Sequence, residues 1–379
     1  MSNSTQKPLR SVHTSNFPDI LKQLGISLVV STYQAGKVIL VRPDNDTLNT
    51  HFRTFQKPMG LAGDHTRLSI GTASEVWHLR NMPAVALKLD PPGKHDAYYL
   101  PRSMHATGDI DIHEMAWGFD LEQGDTNGDT LWIVNTRFCC LCTLDATNSF
   151  VPRWRPHFIS ALAPEDRCHL NGLGMVDGRP KFVTALGETD HAGGWRDNKA
   201  NGGILMDVDD NRVLMRSISM PHSPRVYNGQ LWLLESGEGA LSKVHLGETA
   251  EQSSLEMVAQ MPGFTRGIDF YGPLAFIGLS QVRESATFSG LPLTKRLTER
   301  TCGVWVINIT TGETVAFLRF EEGVQEIFSV QVLPGVHFPD IFEWGDERLR
   351  TSYVLPDEAM ADVAAPKTTG DALSTASRD

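Results

Sequence analysis

Six short apolar runs along the chain open on related tetrapeptides: Pro58-Met59-Gly60-Leu61, Glu114-Met115-Ala116-Trp117, Leu170-Asn171-Gly172-Leu173, His222-Ser223-Pro224-Arg225, Thr265-Arg266-Gly267-Ile268 and Gln325-Glu326-Ile327-Phe328. The third residue is small, or Pro, in every copy but the last. Anchored on that residue, neighbouring copies lie roughly 43 to 60 residues apart. Repeats of this length, each divided into short strands, are the signature of an all-β ring, the β-propeller. Such a ring absorbs the whole of a 379-residue chain that length alone would divide into two or three domains.

The repeats read as four strands each. In the copy that starts at Asn171, runs at 171–176, 181–186, 203–208 and 213–219 are separated by Asp177-Gly178, a long polar loop at 187–202 and Asp209-Asp210-Asn211. The ends are incomplete in complementary ways. The N-terminal region supplies three strands (26–31, 37–42, 48–55) without an inner one, and the C-terminal copy supplies one inner strand, 326–333, with no blade after it. Joined, they make a single blade and leave no open edge. The expectation is a six-bladed β-propeller over residues 16–344, closed by a C-terminal inner strand that joins the N-terminal blade. A disordered segment is expected at 1–15 and a C-terminal extension at 345–379, disordered from about 357 because the tail is poor in apolar residues.

A net charge of −11 disfavours non-specific nucleic-acid or anionic-membrane partners, which need a basic surface. No window approaches the ~18 apolar residues of a membrane span, and residues 1–17 contain no apolar signal core, so a cytoplasmic location is the expectation. The five cysteines, three of them in Cys139-Cys140-Leu141-Cys142, lie in apolar surroundings and read as packing residues. Trp132, Trp232 and Trp305 lie in strand patterns and read as inter-blade packing. Phosphate-loop, dinucleotide and nucleophile-elbow motifs are absent from the sequence.

In a propeller the first strand of every blade lines the central channel. Its start opens on the same face as the loop after the second strand. The residues before the anchors therefore converge on one funnel: His113, Glu114, His169, Asn171, His222, Arg266, Gln325 and Glu326, with Glu188, His191 and Arg283 from the loops. Imidazole, carboxylate, amide and guanidinium groups together can hold a metal, clasp an anion or move protons. They can equally hydrogen-bond neighbouring blades around a wet channel. Asp190-His191 beside Gly193-Gly194-Trp195 reads either as a lid with an aromatic anchor or as an exposed loop.

The run 56–62, the His169-Leu170-Asn171-Gly172-Leu173 segment, Pro221-His222-Ser223-Pro224-Arg225 and the run 265–270 resemble an uncharacterised bacterial family with a propeller-like domain of unknown function. The resemblance covers about residues 16–344. It implies the fold and carries no activity, cofactor or catalytic residue. By architecture alone the chain is also similar to six-bladed lactonases of the gluconolactonase type, which hold Ca²⁺ at the channel mouth. Glu114, Asn171 and Glu326 would be the nearest equivalents, although the many histidines depart from that pattern.

Three functions follow as expectations. The first is a soluble propeller that binds a small polar molecule or peptide in its funnel, without nucleic acid or membrane as partner. The second is a metal-dependent hydrolase or lactonase that uses Ca²⁺ or Zn²⁺ with Glu114, His169, Asn171, His222 and Glu326. The third is a scaffold that binds protein partners through its rim.

Overall fold

The computed structural model describes residues 9–281 and 290–363, which fall into two compact units parting between Glu343 and Trp344. The first is a ring of six antiparallel blades. Blade 1 has Ile26–Thr32, Lys37–Asp44 and Thr47–Thr54, with Ser329–Pro334 as its inner strand. Blades 2 to 5 take their four strands in chain order. Their inner strands are Leu61–Gly63, Ile112–Asp120, Leu170–Val176 and Pro221–Tyr227. Blade 6 runs from Phe264–Tyr271 to Thr314–Phe320. The inner strands contact their neighbours all the way round the ring. The expected closure is present, with Ile26–Ser31 paired to Pro334–Ser329.

Two further strands tie the ends to the ring. Ser11–His13 pairs with the outer strand of blade 6, so order begins inside the segment expected to be disordered. Pro339–Ile341 runs parallel to the outer strand of blade 2. Helix Phe17–Leu24, which the strand pattern did not anticipate, buries Phe17 and Leu21 in the core between blades 1 and 6. The second unit contains two one-turn helices, Arg348–Thr351 and Asp357–Met360. The latter lies where disorder was expected.

Apolar clusters fill the gaps between blades. Trp232 and Trp305 pack between blades 5 and 6, and Trp132 packs between blades 3 and 4. All five cysteines are buried and free. Cys140 and Cys142 face one cluster, as strand alternation requires, and Cys139, in the turn before that strand, faces the other.

The anchors are small because successive inner strands nearly touch. A methyl on Gly172 would lie 2.2 Å from Thr184 Oγ1 and 2.4 Å from Pro224 Cδ. Gly267 has φ +73°, and a methyl there would meet Ser329 Cα at 2.7 Å. Hydroxyls at the ends of second strands then staple four of the six blades to the segment that opens the next inner strand. Ser31 Oγ donates to Met59 O, Thr136 Oγ1 to Leu170 O, Ser236 Oγ to Thr265 O and Ser280 Oγ to Ile327 O, at 2.5–2.9 Å.

Candidate functional site

A cavity of about 230 Å³ lies at the face of the ring where the inner strands start. This is at the small end of ligand pockets, which run from ~300 Å³ upward. His113, His169, His222 and Arg266 line it together. Four of the expected funnel residues, from four different blades, are thereby brought to one place.

The hydroxyl staples fix two of the imidazoles. Thr136 Oγ1 spends its proton on Leu170 O, so it accepts from Nδ1 of His113 at 2.7 Å. The Asp111 carbonyl, 3.2 Å away, is a second acceptor for the same nitrogen. Ser236 Oγ spends its proton on Thr265 O and accepts from Nδ1 of His222 at 2.9 Å, with the Met220 carbonyl at 3.0 Å. Only acceptors face each Nδ1, so both rings carry the proton there and present an Nε2 lone pair at the opposite edge. Burial pushes both histidines well below the ordinary imidazole value. His169 and then Arg266 add to the effect at His113, and Arg266 adds to it at His222. Both are neutral at pH 7.

Arg266 donates from Nη2 to Nε2 of His113 at 2.9 Å, and its guanidinium stacks 4.0 Å above the Phe328 ring. Its Nε is buried without a hydrogen-bond partner, and it forms no ion pair with a carboxylate among the described residues. His169 donates from Nδ1 to the Asp166 carboxylate at 2.9 Å. Asp166 also accepts from Trp195 Nε1, whose ring lies 4.5 Å from that of His169. Trp195 is only 3% exposed and forms a fixed wall. Lys57 and Asp111 pair at 2.9 Å on the rim. Burial pushes the Tyr33 phenol up to about 12 against the pull of Arg266, and nearby Glu326 adds to the rise.

The other expected residues lie elsewhere. Glu114 is turned into the ring, where its Oε2 accepts from Leu173 N at 2.7 Å and Arg225 Nη1 at 2.9 Å. It thereby ties blades 3, 4 and 5 together, and Arg225 neutralises it. Asn171 is buried, donating to Pro221 O and accepting from Thr184 Oγ1. Gln325 is held by its backbone, which accepts from Gln281 N and donates to Gln34 Oε1. Glu326 is not among the residues that line the cavity. Glu188 pairs with Arg216 beside a separate cavity. His191 is exposed and lies 3.4 Å from Asp197. Arg283 falls outside the described residues. Glu114, Asn171 and Glu326 thus do not converge, and among the described residues no group of three or more His, Cys, Asp or Glu side chains is placed to hold a metal ion.

Sequence reading missed Tyr33, Lys57, Asp111 and Asp166. Asp166-x-x-His169, and a polar residue three before the anchor in blades 2, 3 and 4 (Lys57, His113, His169), were available signals. Left-handed backbone at Lys57, Asp111, His169, Met220 and Ser223 re-aims the strand entries around the mouth. Non-glycine residues in that region are costly and gather at functional sites.

Fold and site together define a β-propeller with a polar cavity at its channel mouth. The chain belongs to the family described as Domain of unknown function (DUF4915), whose model matches residues 15–342. No curated protein matches the sequence significantly. Among solved structures, the chain is similar to one from a nidogen/laminin complex (10% identity, TM-score 0.49, covering 82% of this chain and 99% of that one). It is also similar to virginiamycin B lyase from Staphylococcus aureus (8%, TM-score 0.40, 82% and 99%) and to a protein from Lactobacillus plantarum (11%, TM-score 0.44, 81% and 99%). At these identities the likeness concerns the fold alone. Among the described residues no helix is long and apolar enough to cross a membrane.

Proposed function

We propose that the mouth cavity binds a small polar ligand carrying a negative charge. The observation that carries this reading is Arg266. It is a partly buried guanidinium in the cavity wall with a neutral imidazole as its hydrogen-bond acceptor and no carboxylate among the described residues to balance it. The nearby acids do not pair with it. Asp111 is held by Lys57 and Glu114 by Arg225, and Glu326 forms no ion pair with Arg266 among the described residues. A desolvated charge left uncompensated is costly, and an anion supplied by a ligand removes that cost through charge-assisted hydrogen bonds. Met59, Phe264 and Phe328 give the cavity apolar walls.

Calorimetric titration of the full chain with acetate, propionate, succinate and inorganic phosphate tests this. Saturable binding of at least one anion is expected. Arg266→Met should weaken it by about 1.5–3 kcal/mol, the worth of a hydrogen bond to a charged group, or roughly 10- to 150-fold. Equal affinity in the variant, or no binding of any of these anions to the wild type, would overturn the reading.

A further inference from the structure

Resting on that anion reading, we infer that the ligand is a small hydroxycarboxylate, its carboxylate facing Arg266 and its hydroxyl donating to Nε2 of His222. The cavity is not a plain cationic hole. Its two blade-stapled histidines are locked in one tautomer by hydroxyls whose own protons are already committed, Thr136 to Leu170 O and Ser236 to Thr265 O. Each ring therefore turns a lone pair, not an N–H, away from its staple. For His113 the lone pair is consumed by Arg266 Nη2 at 2.9 Å. For His222 the hydrogen bonds end at Nδ1, and its Nε2 has no partner among the described residues although the ring is only 4% exposed.

His222 and Arg266 line the same cavity, and the Arg266 charge is felt at His222. The site thus pairs a cation with a neutral acceptor held out of bulk water. A ligand with acceptors only, such as a simple carboxylate, would answer Arg266 and leave the His222 lone pair unmet. A carboxylate that also carries a hydroxyl answers both. Arg266 does not fill that donor role, because its one side-chain hydrogen bond among the described residues runs to His113 and its remaining N–H groups are the donors left for the carboxylate. The phenol of Tyr33, another wall residue, forms no hydrogen bond to His222 among the described residues. A ligand hydroxyl fills that role. The small volume, about 230 Å³, restricts the ligand to a molecule of a few carbons.

Matched pairs isolate the hydroxyl: lactate against propionate, and malate against succinate, each titrated into the full chain at pH 7.5. The hydroxylated member of each pair should bind about threefold to tenfold tighter, the worth of one net neutral hydrogen bond. His222→Phe should erase that preference while keeping affinity for propionate and succinate. His222→Gln, which retains a polar edge should the Phe variant misfold, should reduce the preference too. Imidazole ¹⁵N spectra give a readout independent of any ligand: an unprotonated Nε2 on His222 is expected. Equal binding within both pairs, a preference that survives both substitutions, or a protonated Nε2 would overturn this inference and leave the anion reading standing. Binding that is equal within pairs and also indifferent to Arg266→Met would overturn both.

Discussion

The buried histidines at the mouth make a quantitative prediction about acid. His113 is 3% exposed and His222 is 4% exposed, and both are pushed well below the unperturbed value of 6.5, by burial first in each case. Above that value the folded and unfolded chains both carry these rings neutral, and the two contribute no pH dependence. Below it the unfolded chain takes up protons that the folded chain refuses, so stability falls as pH falls, until the folded rings themselves titrate. If both stay neutral when folded, the unfolded state gains about 1.2 kcal/mol per histidine between pH 7 and 5.5, or ~2.5 kcal/mol for the pair. Urea unfolding of the wild type and of His113→Gln/His222→Gln at the two pH values isolates this share, because the carboxylates common to both proteins cancel in the difference. The wild type should lose ~2.5 kcal/mol more than the double variant over that interval. Arg266→Met should shrink the loss, because a charge that depresses both histidines is gone. Indistinguishable pH profiles for the wild type and the double variant would refute the claim that these rings are held neutral.

The ring makes three further predictions. A chain ending at Gly323 loses the closing strand and its buried Val330, Val332 and Leu333, each worth about 1.5–3 kcal/mol. It should aggregate on expression, and a soluble, cooperatively melting product would contradict the shared blade. Gly172→Ala should cost ~1–3 kcal/mol in thermal melts through overpacking against Thr184 and Pro224, and Gly267→Ala should cost at least as much, because its left-handed backbone adds to the collision with Ser329. Glu114→Gln should lower stability by roughly 1.5–3 kcal/mol, by removing the charge that satisfies Arg225, while leaving anion affinity within about twofold of the wild type. A larger effect of Glu114→Gln on binding than on stability would return Glu114 to the site.

The ring was legible because its cause is local. Close approach of inner strands favours a small residue at the anchor position of most blades, and Gly60, Ala116, Gly172 and Gly267 announce it in the sequence. The convergence of His113, His169, His222 and Arg266 followed from that register. What the register could not supply was the phase of each side chain. Residues one apart on a strand face opposite ways, so His113 lines the mouth while Glu114 turns inward to Arg225. Left-handed entries at His169 and Ser223 shift the phase again from blade to blade. Asp166 and Tyr33 come from loops, Tyr33 from the turn after the second strand of blade 1, where the repeat motif does not mark them, and Ser11–His13 is too short and polar to read as a strand before its partner is known.

The central claim is that Arg266 is the anion-binding group of this propeller, and its Nε–H reports on that directly. The group is buried without a partner, so exchange with water should be slow enough for its ¹H–¹⁵N resonance to be seen, with Arg266→Met identifying it by loss of the peak. Titration with malate should shift this resonance along a saturable curve, and the uncharged diamide of malic acid should leave it in place. A resonance indifferent to malate, or one that moves as far with the diamide, would contradict the account.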